Sequence, residues 1–320
     1  MRFLSLAAAA ASLLALAWPA RAEWPDRPVR IVVPYGPGGG VDSFARPIAQ
    51  RLAEQTGQTF VIDNRAGAGG TIGVLNAARS APDGYTLLAG GVHQPMAEAL
   101  YPQRGYRIDT DFIPIGITAT VPNVLVVNPR AGLADLPTLV RRAREKPSEL
   151  TYCSSGNGTS QHIIAELFLR DTGLRVVHVP YRSTAPAMND LVAGVCPMMF
   201  DGMGTSASQL ASGRLQALAL TSARRSPLFP DIPTMKEAGG PEMDAGTWYA
   251  LWAPAGTPSA IVERLRAEVR RAVASPGTAR LWAQQGAEPG NVPDERLEAF
   301  VREETARWMG EVKALGLHAD

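Results

Sequence analysis

Between positions 33 and 42 the chain reads Val33-Pro34-Tyr35-Gly36-Pro37-Gly38-Gly39-Gly40-Val41-Asp42. The apolar run Val29-Arg30-Ile31-Val32-Val33 leads into this turn and reads as a buried strand, and a helical pattern from Ser43 to Thr56 leaves it. Four glycines between a strand and a helix let the backbone take positive φ and let a ligand approach the peptide groups closely. The unpaired amides of the following helix then favour an anion. A similar turn, Ser155-Gly156-Asn157-Gly158-Thr159-Ser160, follows the strand Leu150 to Ser154. The pair suggests two halves of an anion clamp.

A β-turn-α alternation runs through the rest of the chain. Strands are expected at Thr59 to Ile62, Thr86 to Ala89, Asp111 to Thr118, Val124 to Asn128, Val176 to Pro180, Pro197 to Phe200, Leu215 to Thr221 and Trp248 to Pro254. Helices are expected in a short segment ending near Ser80 and at Leu136 to Lys146, Gln161 to Thr172, Pro186 to Ala193 and Ser206 to Ser212, with two more apolar stripes from Ile261 and from Arg296. This pattern predicts an α/β fold of mostly parallel sheets flanked by helices. Ligands in such sheets collect beyond the carboxyl ends of the strands, where the glycine turns lie. The count starts again after Val124 and the chain returns near Trp248. The expected division is lobe 1 at 23–124 and 248–320, lobe 2 at 125–247, and a two-strand hinge between them.

Residues 1–22 read as a signal peptide. Arg2 gives the positive start, Phe3 to Trp18 the apolar stretch, and Ala20-Arg21-Ala22 a small-x-small cleavage site. An exported, periplasmic protein is expected. Its removal takes the formal charge from +1 to −1, with 29 basic and 30 acidic residues left. Interspersed charges near neutrality argue against nucleic acid as a partner. The two cysteines, Cys153 and Cys196, fall near opposite ends of neighbouring parallel strands, so free buried thiols are expected rather than a disulfide.

Other chemistry fits poorly. The first turn lacks the Lys-Ser/Thr of a P-loop and the final glycine of a dinucleotide fingerprint. Asp42 beside the amides disfavours a phosphate dianion and suits a carboxylate better; it would equally serve as a helix N-cap. Ser154, Ser155, Ser160 and His162 form no G-x-S-x-G elbow, because Tyr152 precedes Cys153-Ser154 where glycine is needed. No histidine pair has metal-ligand spacing, so neither metal nor cofactor is expected. Arg182 could meet a distal ligand group, and Asp201, ending an apolar strand, could accept from a ligand hydroxyl or ammonium.

These turns, with Asn64-Arg65-Ala66-Gly67-Ala68-Gly69-Gly70, Tyr152 to His162, Val179-Pro180-Tyr181, Pro230-Asp231-Ile232-Pro233-Thr234 and Ala253-Pro254-Ala255-Gly256-Thr257-Pro258, resemble the Bug family. These are the extracytoplasmic solute receptors of tripartite tricarboxylate transporters, also called TctC. The resemblance spans essentially the whole mature chain. It implies a two-lobed periplasmic binding protein, monomeric and without enzymatic activity, that delivers a small carboxylate to the transporter's membrane subunits. A ligand-sensing receptor for a signalling partner is the alternative, an exported hydrolase a weaker one. The expected ligand-binding residues are Pro37, Gly38, Gly39, Gly40, Asp42, Gly69, His93, Ser154, Ser155, Gly158, Thr159, Ser160, Tyr181 and Asp201. Relatives often have alanine at Cys153 and Lys-Gly at Arg182-Ser183; the second departure lies near the cleft and bears on distal specificity.

Overall fold

Side-chain alternation along β1 (Val29–Val33) sets up both faces of the sheet: Val29, Ile31 and Val33 enter one apolar core and Val32 the other. A computed structural model describes residues 24–317; the expected signal peptide lies outside the described residues. The further strands are β2 (Phe60–Asn64), β3 (Thr86–Gly91), β4 (Phe112–Val127), β5 (Thr151–Ser154), β6 (Val177–Pro180), β7 (Met198–Gly202), β8 (Gln216–Leu220), β9 (Gly246–Pro254) and β10 (Glu288–Pro289). The helices are α1 (Gly40–Thr56), α2 (Thr71–Ala78), α3 (His93–Leu100), α4 (Leu136–Glu145), α5 (Ser160–Thr172), α6 (Thr184–Ala193), α7 (Met203–Ala211), α8 (Ser259–Val273), α9 (Pro276–Gln284) and α10 (Leu297–Ala314). On α1, the i, i+4, i+8 series Phe44, Ile48 and Leu52 is buried against β1, and Gly57 closes the helix at φ 73°.

The strands run in the order β2-β1-β3-β9-β4-β7-β5-β6, with β8 and β10 also pairing to β4. The sheet is mixed rather than mostly parallel. Strands β1 to β3 are mutually parallel, as are β5 to β7, but β9 and β4 pair antiparallel with their neighbours. The long β4 is the cause. It runs in the direction of β1 to β3 and against β5 to β7, so both sets turn their carboxyl ends toward its middle. Gly91, the end of β3, pairs with Tyr249, which pairs with Ala119; Gly202, the end of β7, pairs with Asn123.

Where sequence reading expects two strands, Asp111 to Thr118 and Val124 to Asn128, the fold has the single β4, with Pro122, which cannot donate to a ladder, between them. In the fold this proline sits at the changeover, paired with Gly246 of β9 one residue before Asn123 takes up β7. Helices α3 and α9 are additions to the sequence-based expectation. Helices α6 and α7 begin two and three residues earlier than expected, at Thr184 and Met203.

The cysteine expectation is overturned: Cys153 and Cys196 form a disulfide, with Cα atoms 6.2 Å apart. Cys196 has not yet entered the sheet plane. Its N–H still bonds to Asp190 O of α6, and α6 packs Ala187 and Leu191 on the face to which Cys153 points. The half-cystine therefore arrives from above Cys153, and distance along the strands does not separate them.

Candidate functional site

Several helices begin where the two sets of carboxyl ends meet. The N-cap residues of α1, α5, α6 and α7 are Gly39, Thr159, Ser183 and Gly202, and none makes a side-chain capping bond. Helix α3 starts beside them at His93, also without a side-chain cap. First-turn amides lack acceptors within their own helix, so these ends together present a concentration of N–H donors and positive dipole ends. They surround a cavity of about 30 Å³. Its lining includes Gly39, Gly40, His93, Ser155, Ser160 and Asp201, all expected from sequence. No lysine or arginine is among the lining residues.

The other expected residues stand behind this lining. Pro37 and Gly38 are exposed, and the Gly38 amide donates to Asp42. Asp42 is neither the N-cap nor a cavity residue: its buried carboxylate accepts from Gly38, from Asn64 Nδ2 and twice from Arg46. Ser154 Oγ lies 2.6 Å from His178 Nε2 and accepts from Gly156 N. Thr159 Oγ1 donates to Gly156 O, the Gly158 amide to His162 Nδ1, and Tyr181 Oη to Asp190. Gly69 O accepts from Tyr35 Oη, and a Cβ at position 69 would stand 2.8 Å from Asn157 O. Ser155 N donates to Gln161 Oε1. The second turn thus spends its amides at 155, 156 and 158 on itself, and what reaches the cavity is its hydroxyls and the helix end.

Sequence reasoning did not single out Tyr35, Asn123, Gln161, Thr184, Thr205, Thr247 and Tyr249, which also line the cavity. Asn123, Thr247 and Tyr249 come from β4 and β9 and carry no local motif. Tyr249 stacks on Phe44 at 4.5 Å, and its hydroxyl stands 2.2 Å from where a Cβ at position 40 would be. That close approach is what requires glycine at the first residue of α1.

Asp201 is 1% exposed and accepts from Gln161 Nε2 (2.6 Å), Thr205 Oγ1 (2.5 Å) and Ser206 Oγ (2.7 Å). Burial pushes its carboxyl up from the ordinary range, and the three donors work against that rise. Burial also lowers His93 to about 4, so the imidazole is neutral at pH 7. Its Nε2 lies 3.1 Å from Ser160 Oγ, bridging α3 and α5. Among the described residues no cluster of three or more His, Cys, Asp or Glu is arranged to hold a metal ion, and no helix is long and apolar enough to cross a membrane.

A family profile described as tripartite tricarboxylate transporter family receptor matches residues 44–317. BugT of Bordetella pertussis is 37% identical over 295 residues, which covers 92% of this chain and 90% of that protein. Among solved structures, Rpa4515 of R. palustris with adipate superposes with a TM-score of 0.88 at 37% identity, over 93% of this chain and all of that one. MatC of Rhodopseudomonas palustris with bound malate gives 0.85 at 32% identity, over 90% of this chain and all of that one.

Proposed function

We propose that this chain, which belongs to the tripartite tricarboxylate transporter receptor family, captures a small carboxylated compound at the convergent helix ends and delivers it to the membrane subunits of such a transporter. The family is one of periplasmic solute receptors, not of enzymes. The observation that carries the ligand class is the set of uncapped helix N-termini around a cavity lined by hydroxyls and amides, with no cationic side chain. A carboxylate supplies the acceptors these donors lack. Each charge-assisted bond contributes about 1.5–3 kcal/mol and each helix end about 0.3–1 kcal/mol. A few such contacts, less ordering costs, reach the roughly −8 kcal/mol of a micromolar complex. The relatives solved with adipate and malate support the same class.

In this reading the division is 23–124 with 248–320 against 125–247, and the two parts close as lobes about β4 and β9 of a monomer. Gly39, Gly40, His93, Ser155 and Ser160 meet the carboxylate; Asp201 accepts from a ligand hydroxyl or ammonium. Export through the leader at residues 1–22 places the protein in the periplasm. A thermal-shift screen of mono-, di- and tricarboxylates tests the ligand class. Ligand at about 100 times Kd stabilises by about 2.7 kcal/mol; no stabilisation by any carboxylate would sink the proposal.

A further inference from the structure

Behind the Ser154–Ser160 turn lies a stack of three rings that the ligand reading does not use. Tyr152 of β5 stacks on His178 of β6 with centroids 4.8 Å apart, and His178 stacks on His162 of α5 at 4.2 Å and 12°. Each imidazole reaches a different part of the turn. His162 Nδ1 takes the Gly158 amide at 3.2 Å. His178 Nε2 lies 2.6 Å from Ser154 Oγ, and Ser154 Oγ takes the Gly156 amide at 3.1 Å. Tyr152 Oη at the far end donates to Glu166 at 2.5 Å.

We propose that His162 and His178 are positioning residues that fix the shape of the carboxylate-binding turn, acting as paired neutral acceptors behind it. The inference rests on the receptor reading above. An amide can only donate, so the Gly158 bond requires His162 Nδ1 to be unprotonated, with its proton on Nε2. Ser154 Oγ already accepts from Gly156, and its own proton has a nearer acceptor in His178 Nε2 than in Gly156 O at 3.3 Å. His178 therefore carries its proton on Nδ1.

Two charged rings at 4.2 Å would repel, and burial of both favours the neutral forms. Burial lowers His162 to about 4; burial and the neighbouring His162 lower His178 to about 3. Gly156 and Gly158 have φ of 126° and 77°, conformations that need such fixed partners to select them from glycine's wide range. Anchoring both amides aims Ser155 and the α5 N-terminus at the cavity.

The test has two independent arms on the purified mature protein. Long-range ¹⁵N–¹H spectra of the wild type at pH 6–8 should show His162 as the Nε2–H tautomer and His178 as the Nδ1–H tautomer. Amide exchange should quicken about tenfold or more at Gly158 in H162L, which removes its acceptor, and at Gly156 in H178L, where Ser154 Oγ loses the partner that holds it toward the Gly156 amide. Exchange should return to near wild type in H178Q and H162N, whose amide oxygens stand where Nε2 and Nδ1 stood. Charged imidazoles, the opposite tautomers or unchanged exchange in the leucine variants would overturn the proposal. In the second arm, calorimetry with malate and with adipate should show affinity about tenfold weaker in the leucine variants and within threefold of wild type in H178Q and H162N. Equal affinity in all variants would overturn it too. If the wild type binds neither probe and no carboxylate stabilises it in the thermal-shift screen, the carboxylate reading fails, and the spectra and exchange still decide whether the histidines set the turn.

Discussion

Gly40 and Tyr249 show how narrowly the site is set by single atoms. A methyl group at position 40 would collide with the Tyr249 hydroxyl, and the ring cannot swing aside because Phe44 and His93 flank it. Gly40→Ala should weaken carboxylate binding by tenfold or more in calorimetry, and Gly40→Ala with Tyr249→Phe should recover part of the loss. Recovery failing in the double variant would place the effect in the helix end instead. Asp42 acts at one remove. Burial alone would raise its carboxyl, but Arg46, the Gly38 amide and Asn64 outweigh it and hold the group below its ordinary value. Because the folded pKa is the lower one, the stabilisation is fully present above about pH 4 and is lost as pH falls through the folded value. Asp42→Asn should cost about 1–3 kcal/mol at pH 7 by urea unfolding and should flatten the acid limb of the stability profile.

At the scale of elements, the disulfide ties β5, which feeds the second turn, to the entry of β7, which carries Asp201 one residue before its end. It closes a 43-residue separation, for which chain entropy gives about 4 kcal/mol. Replacing both cysteines with alanine should lower unfolding free energy by about 2–4 kcal/mol, measured in denaturant under oxidising conditions. How much of this was legible in sequence follows from how local each signal is. The turn at Gly36 to Gly40 and the strand and helix beside it were readable because glycine spacing and apolar period act over a few residues. The cysteine pairing was not, because it depends on α6 lying over the sheet face. Tyr249 and Asn123 were equally hidden: they reach the cavity only because β9 and β4 pair across more than a hundred residues of chain. Ser154 at the end of β5, and Gly158 and Thr159 in the second turn, stand behind the cavity rather than in its lining; sequence could not tell which of its amides the turn itself would use.

Across the whole molecule, polar and apolar contacts alike join the two sets of strands and their helices beside the cavity. His93 meets Ser160, Tyr101 Oη donates to Asn157 O at 3.4 Å, and Gly36 faces Ser183. Helix α10 holds the crossing strands from outside: Glu304 accepts from the indoles of Trp248 on β9 and of Trp308. The closure proposed above predicts a smaller radius of gyration with saturating carboxylate in small-angle scattering. Identical curves with and without ligand would refute closure. The uncapped helix ends carry one more consequence, which concerns how such a receptor withstands mutation. A recognition surface written in main-chain N–H groups keeps its donors through most codon changes, because every residue except proline supplies the same N–H; Gly40, where no Cβ fits, is an exception. In the proposed receptor, substitutions around that surface would therefore retune the far side of the ligand while leaving the main-chain donors for its carboxylate in place.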